Sequence, residues 1–355
     1  MSANARGPVE ALKGLVRRQY FWGIVAVALL LLVNLVKDPG YLAVSIGPSG
    51  NLAGNVIDIL RAAAPVILIA VGMCLVVATG GIDLSVGSVM VVAGAVSMEF
   101  LKDAPDTVGS TFTALALVIA VSVALGAVNG VLVSVVGLQP FISTLVIMLA
   151  GRGLAKVITG GQNTAATNET FRWIANGYVF GLPVVFLLAL LVAVGVGLLV
   201  RRSALGLMLE AIGMDAKAAR LAGVNRRALL FTVYIFGGVL AGFAGVFATA
   251  SVMTVDVSRT GYQLELDAIL AVVIGGTSLA GGKFNITGAV VGAILIATLD
   301  KTVVFLGVSS SATPAFKAIV IVALCLLQSE RVRRVFRQRR AAGTARPAER
   351  EVVAA

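Results

Sequence analysis

The nine residues GGIDLSVGS, Gly80 to Ser88, decide how this chain is read. They join two apolar runs, Ala62–Ala78 and Leu84–Met98, each about long enough to cross a bilayer. Asp83 is the only charge between Arg61 and Glu99. An aspartate at the centre of a membrane helix costs about 2.5–3.5 kcal/mol to insert, so such a residue faces protein, water or a substrate path. The glycines around it point to backbone that bends or packs closely. Two readings stay open: Asp83 sits on a solute pathway, or it caps the next helix at a membrane surface.

Composition places the rest of the chain in the membrane as well. Of its 355 residues 59% are hydrophobic and 13% charged, more apolar surface than a soluble protein of that length can hide. Forty glycines suit closely packed helices. There is no histidine, which removes the Ser-His-Asp triad, the HExxH metal site and imidazole relays together. Cys74 and Cys325 both lie in apolar runs, which argues against disulfides and thiolate metal sites. The expectation is a non-enzyme without metal or cofactor.

Apolar runs give ten candidate spans, at about 21–36, 62–79, 83–101, 111–136, 140–159, 182–200, 227–250, 264–280, 285–304 and 313–328. The fold class is therefore all-α, a polytopic membrane protein. Net charge is +11, of which residues 1–20 hold +3, 201–227 hold +4 and 330–355 hold +5. Positive charge beside spans marks the cytoplasmic side, and an even number of spans puts all three segments there. Anionic headgroups suffice as partners for the Arg-rich tail, and nucleic acid is not needed. The division expected is a basic cytoplasmic N-terminus (1–20), a transmembrane domain (21–328) and a cytoplasmic tail (329–355). The first span reads as an uncleaved anchor, because Lys37, Asp38 and Pro39 follow it instead of a small-x-small cleavage site.

ATGGIDLSVGS at 78–88 has an echo in VIGGTSLAGGK at 273–283, each joining two apolar runs. Transporters use such internal repeats and glycine-broken helices around a central site. The connector after span six reads RRSALGLMLEAIGMDAKAARLAGVNRR. Its alanine-rich middle, Leu209–Leu221, predicts a short amphipathic helix that either docks a soluble partner or lies on headgroups. Lys283 does not belong to a phosphate loop, since a Walker A sequence would need glycine at Thr277 and Ser or Thr at Phe284.

The pattern EAIG-x4-AA-x-LAG in this connector resembles the coupling loop of ABC importer permeases. The chain as a whole resembles the ribose-type sugar permease family. The likeness rests on GGIDLSVGS, Asn129–Gly130, QPFISTL at 139–145, GRGLAKVITGGQ at 151–162 and ELDAILAVVIGGTSLAGG at 265–282. IDILRAAAPV at 57–66 is nearest in wording to the galactofuranose importer permeases. The resemblance implies a separate ABC ATPase, an extracytoplasmic sugar-binding protein and a second permease subunit, identical or related. It also implies that the loop at 203–226 meets the ATPase through Glu210, Ala211, Gly213, Ala218, Ala219 and Gly223.

A neutral sugar needs hydrogen-bonding groups and a few aromatic or apolar walls. Candidates in or beside spans are Asp83, Ser85, Asn129, Gln139, Phe141, Thr144, Arg152, Gln162, Asn163, Glu265 and Asp267. The bland reading is that these satisfy one another and never touch solute. An ion pair of Arg152 with Asp83, Glu265 or Asp267 is one such possibility. Rival functions are import of nucleosides or other small solutes, and an ion-coupled carrier using the buried carboxylates.

Overall fold

A computed structural model describes residues 19–47 and 50–328. The basic N-terminal segment, apart from its last two residues, and the Arg-rich tail lie outside them. The described residues form an α-helical bundle whose only strands are two residues long. The helices are α1 (Gln19–Lys37), α2 (Asn55–Ala78), α3 (Val86–Asp103), α4 (Val108–Val131), α5 (Pro140–Ile158), α6 (Glu169–Asn176) and α7 (Val184–Arg202). Then follow α8 (Leu205–Met214), α9 (Ala216–Leu221), α10 (Arg226–Val252), α11 (Leu264–Ile274), α12 (Ile286–Phe305) and α13 (Thr313–Gln328). Seven of these helices, α1, α2, α4, α5, α7, α10 and α12, are long and apolar enough to cross a membrane.

The other three expected spans are shorter or interrupted, each for a visible reason. α3 carries Glu99, Lys102 and Asp103 in its last turns. α11 has only 11 residues, about 16 Å, because Gly275 and Gly276 end it although the apolar run continues. Gly276 has φ +92°, a conformation that glycine alone adopts without strain. α13 has 16 residues.

α2 is apolar all round and is the centre of the bundle, with Ile67 to Ala78 buried without a break. α10 packs across α2, α3 and α4 through glycines. A Cβ on Gly72 of α2 would stand 3.2 Å from Gly237 Cα, and one on Gly245 would run into the Met90 carbonyl of α3. On the α4 side, Gly238 faces Gly126 at 3.1 Å. Such small-residue seams let backbones approach where lipid offers no hydrophobic drive.

Two contacts fix the ends of the bundle. Lys37 Nζ donates to Phe305 O at 2.9 Å, so α1 and α12 finish together at what we call the far end. Gly282 N donates to Ala78 O at 3.0 Å, so α2 ends where α12 begins, at the near end. At the far end, β1 (Thr164–Ala165) pairs antiparallel with β2 (Thr254–Val255). The connector between α7 and α10 lies at the near end. The expected single helix over Leu209–Leu221 is instead two, α8 and α9. They break at Asp215, whose carboxylate accepts from Lys217 N (2.8 Å) and Ala218 N (3.1 Å) and starts α9 afresh.

Candidate translocation pathway and coupling surface

The decisive nine residues form an interrupted span. After α2 ends, Gly80 to Ser85 run non-helically past α5 before α3 begins. Ile82 O accepts from Thr144 Oγ1 at 3.2 Å, and Ser88 Oγ reaches Ile147 O at 3.3 Å. Ile147 is seven residues into α5, so α3 starts about 10 Å above the near end.

Asp83 organises this break. Its Oδ1 accepts from Ser85 N at 2.9 Å and Ser85 Oγ at 2.6 Å. Ser85 Oγ accepts from Asn129 Nδ2 at 2.8 Å, and Asn129 Oδ1 accepts from Ser143 Oγ at 3.3 Å. Asp83 is 2% exposed, and Ser85, Asn129, Ser143 and Thr144 are buried with it. Asp83 thus closes a turn onto Ser85, the cap residue of α3, at a buried position and not at a surface. The positive end of the α3 dipole favours the carboxylate there. Asn129 precedes a π-helical turn at Leu132–Val136 that lengthens α4 before Gly137 turns the chain.

A second break mirrors the first from the opposite end. The chain returns from β2 through an irregular segment and starts α11 after Gln263, whose φ is +61°. The two breaks touch: a Cβ on Gly87 would overlap Gly261 O and Glu265 Oε2. Arg152 of α5 donates to Thr260 O (3.0 Å) and Gly261 O (2.8 Å), holding the returning backbone in place. Glu265 is buried and its Oε2 has no hydrogen-bond partner among the described residues. The N-termini of α3 and α11 therefore meet inside the bundle, the arrangement of broken helices found in transporters.

The ion pairs offered for Arg152 are not formed. Asp267 pairs instead with Lys317 of α13, at 3.0 and 2.9 Å, and Lys317 also reaches Asp300 of α12 at 2.8 Å. Arg152 spends its donors on backbone carbonyls, whose partial charge it neutralises without a carboxylate. Sequence reasoning passed over Lys317, Asp300 and Ser143. Ser143 lies within QPFISTL, next to Thr144, whereas Lys317 is a lone cation in an apolar run with no local signal.

The remaining candidates do not join this cluster. Gln139 and Phe141 are exposed at the start of α5, and Gln162 is exposed at the far end. Asn163, exposed there too, accepts from Val257 N at 3.2 Å. The interior therefore gathers Asp83, Ser85, Asn129, Thr144, Arg152 and Glu265, with Asp267 in a separate charge group.

The connector meets both glycine turns. A Cβ on Gly213 of α8 would overlap Ala78 O and Gly282 N, and one on Gly281 would stand 2.9 Å from Gly80 N and 3.0 Å from Gly213 Cα. The two echoing segments are thus in backbone contact with each other and with the EAIG glycine. Of the other coupling candidates, Ala219 is buried, Glu210 and Ala211 are half-buried, and Ala218 and Gly223 are exposed. The surface around them carries bare apolar side chains that sequence reasoning missed: Leu207 (73% exposed), Met214 (73%) and Leu221 (90%).

This is the fold of a polytopic permease, and the comparisons agree. The family described as the permease component of branched-chain amino acid transport systems matches residues 55–328, and the chain belongs to it. Individual relatives narrow the class. The chain is 48% identical over 325 residues to the fructose import permease protein FruF of Bifidobacterium longum, covering 90% of each. It is 40% identical over 322 residues to the galactofuranose transporter permease protein YtfT of Escherichia coli, 89% of this chain and 92% of that one. With the ribose import permease protein RbsC of the same organism the identity is 36% over 310 residues, 86% and 92%. The fructose relative is thus more similar than the galactofuranose one, whose wording stood out in the sequence. No solved structure matches.

Proposed function

We propose that this chain is the permease subunit of an ATP-driven importer for a monosaccharide, in the cytoplasmic membrane of a bacterium. The near end, with the connector at 203–226, faces the cytoplasm together with both termini, following the positive charge of those segments. A separate ABC ATPase docks on α8 and α9, a sugar-binding protein delivers solute at the far end, and a second permease subunit completes the pathway. Names of the fructose, galactofuranose and ribose relatives support the solute class.

One observation carries the reading: Gly213 is seated against Ala78 and Gly282, at the edges of both glycine turns, where Gly281 also meets Gly80. A displacement of α8 by the ATPase reaches the starts of both interrupted spans through backbone, with no flexible side chain to absorb it. Closure of the ATPase on ATP then moves the connector, and the crossing near Gly87 and Gly261 changes which side of the membrane it seals. Asp83, Ser85, Asn129 and Ser143 hold the first break rigid during that movement. Asp83, Ser85, Asn129, Thr144, Arg152, Glu265 and Asp267 frame the pathway by positioning its walls, while Gln139, Phe141, Gln162 and Asn163 lie at its two mouths.

Reconstitution of the chain with its ATPase and binding protein tests this. Uptake of fructose, ribose or galactofuranose is expected only with ATP and with all components present. Accumulation by vesicles holding the permease alone under a proton or sodium gradient would replace the importer with an ion-coupled carrier.

A further inference from the structure

The end of α7 and the start of α12 enclose two cavities that meet at Arg201 and Ile286. The first, about 340 Å³, is half polar, with Arg201, Ser203, Glu210 and Asn285 in its wall. The second, about 230 Å³, is an apolar groove along the helix seam, formed by Leu190, Ala193, Val194, Gly197, Leu198 and Val290. On α7 these positions recur every three or four residues, so the groove is one unbroken stripe leading into the first chamber. Val194 and Leu198 are about half exposed, at 50% and 47%, so the seam opens sideways from the bundle.

Charge distinguishes the chamber. Arg201 and Glu210 both line it, yet neither forms an ion pair or side-chain hydrogen bond with a described residue. One unmatched cation and one unmatched anion share a cavity whose apolar extension runs along the membrane-facing side of two spans. The positive end of the α12 dipole, at Ile286, borders the same space.

We propose that this seam binds a phospholipid with a zwitterionic primary-amine headgroup, of the phosphatidylethanolamine type. The phosphate meets Arg201, the ammonium donates to Glu210 and Ser203, and one acyl chain fills the groove beside Gly197. A choline headgroup cannot serve, because its methylated nitrogen has no proton to donate. A glycerol headgroup leaves Glu210 facing a phosphate with no cation between them. Since α8 forms one wall of the chamber, a seated lipid also buttresses the connector from behind. Lipid binding itself does not depend on which solute is carried.

The test is competition among lipids of identical acyl chains (phosphatidylethanolamine, phosphatidylglycerol and phosphatidylcholine) for the purified full chain, read by native mass spectrometry. The ethanolamine lipid is expected to be retained about tenfold over each of the others, the size of one charge-assisted hydrogen bond. Gly197→Leu fills the groove and abolishes retention; a Cβ there meets nothing within 4 Å, so the fold tolerates it. Gly195→Leu, equally open but off the groove, retains the lipid. Glu210→Gln, in the wall of the chamber and off the groove, removes the preference for the ethanolamine lipid and leaves the groove intact. Equal retention of all three lipids, preference for the glycerol lipid, or equal losses in Gly195→Leu and Gly197→Leu would each overturn the proposal.

Discussion

Lys317 Nζ lies 2.9 Å from Asp267 Oδ2, and this pair ties the last described helix to α11, the shortest helix found at an expected span. Lys317 also holds Asp300, so one cation binds α13 to both α11 and α12. Few other side chains anchor α13; Ile321 is its one buried hydrophobic residue among those described.

Lys317→Met is therefore expected to destabilise the protein by about 2–3 kcal/mol. That is below the 3–5 typical of a fully buried pair, because Asp300 is 40% exposed. Thermal unfolding in detergent measures it. The double variant Asp267→Asn, Lys317→Gln should recover part of the loss, since the Asp267 charge is gone and only the part-exposed Asp300 is left without its cation; additive losses would show that the pair is not coupled.

Gly213→Ala adds one methyl group where Ala78 O and Gly282 N already stand. The chain is expected to insert and remain monodisperse, while sugar uptake falls at least about tenfold, a cost of roughly 1.4 kcal/mol in coupling. Gly213→Glu, the stronger change suggested by the EAIG pattern, is expected to abolish uptake. Gly223→Ala makes a useful contrast: its φ of +84° strains the residue by about 1 kcal/mol, yet no neighbour lies within 4 Å. ATP-dependent uptake of the two alanine variants, set against their expression, separates transmission from local strain.

Asp83→Leu removes the acceptor for both Ser85 N and Ser85 Oγ. Each polar group left unsatisfied costs about 1–3 kcal/mol. Transport is expected to fail in this variant and to change little in Asp58→Leu, whose side chain is exposed on α2. Equal, mild effects on uptake would mean that the break before α3 has no part in the cycle.

Leu221→Glu alters a residue 90% exposed on α9. Stability of the isolated permease should stay within about 0.5 kcal/mol of the parent. Association with the ATPase should weaken, because an apolar contact is replaced by a charge. Co-purification of the two subunits, compared with thermal unfolding of the permease alone, reads the difference.

Much of this architecture was legible in the sequence, because hydropathy reports where the apolar helices run. What hydropathy does not report is where a helix breaks inside an apolar run. The stretch expected to span 264–280 stops being helical at Ile274, since Gly275 packs backbone to backbone on Gly288 and Gly276 turns the chain. The interior cluster was legible where polar residues stood inside recognisable motifs, as with Asp83, Ser85 and Asn129. It was not legible for Asp267, because its partner Lys317 lies 50 residues away on another helix. On the connector, the recognisable motif consists of small and charged residues, whereas the exposed apolar surface is Leu207, Met214 and Leu221. α6 was missed too, although Asn168, which accepts from Phe171 N at 2.8 Å, is an ordinary start signal.

The contact of Gly87 with Gly261 has a consequence for tightness. Where these residues meet, main chain lies against main chain, with the Glu265 and Arg152 side chains beside it. Under the proposed function, water and protons at this crossing are held back chiefly by backbone, which does not move on the timescale of side-chain motion. In that reading, whatever passes there waits for a whole segment to shift, so leakage is tied to slow backbone movement and not to thermal flicker.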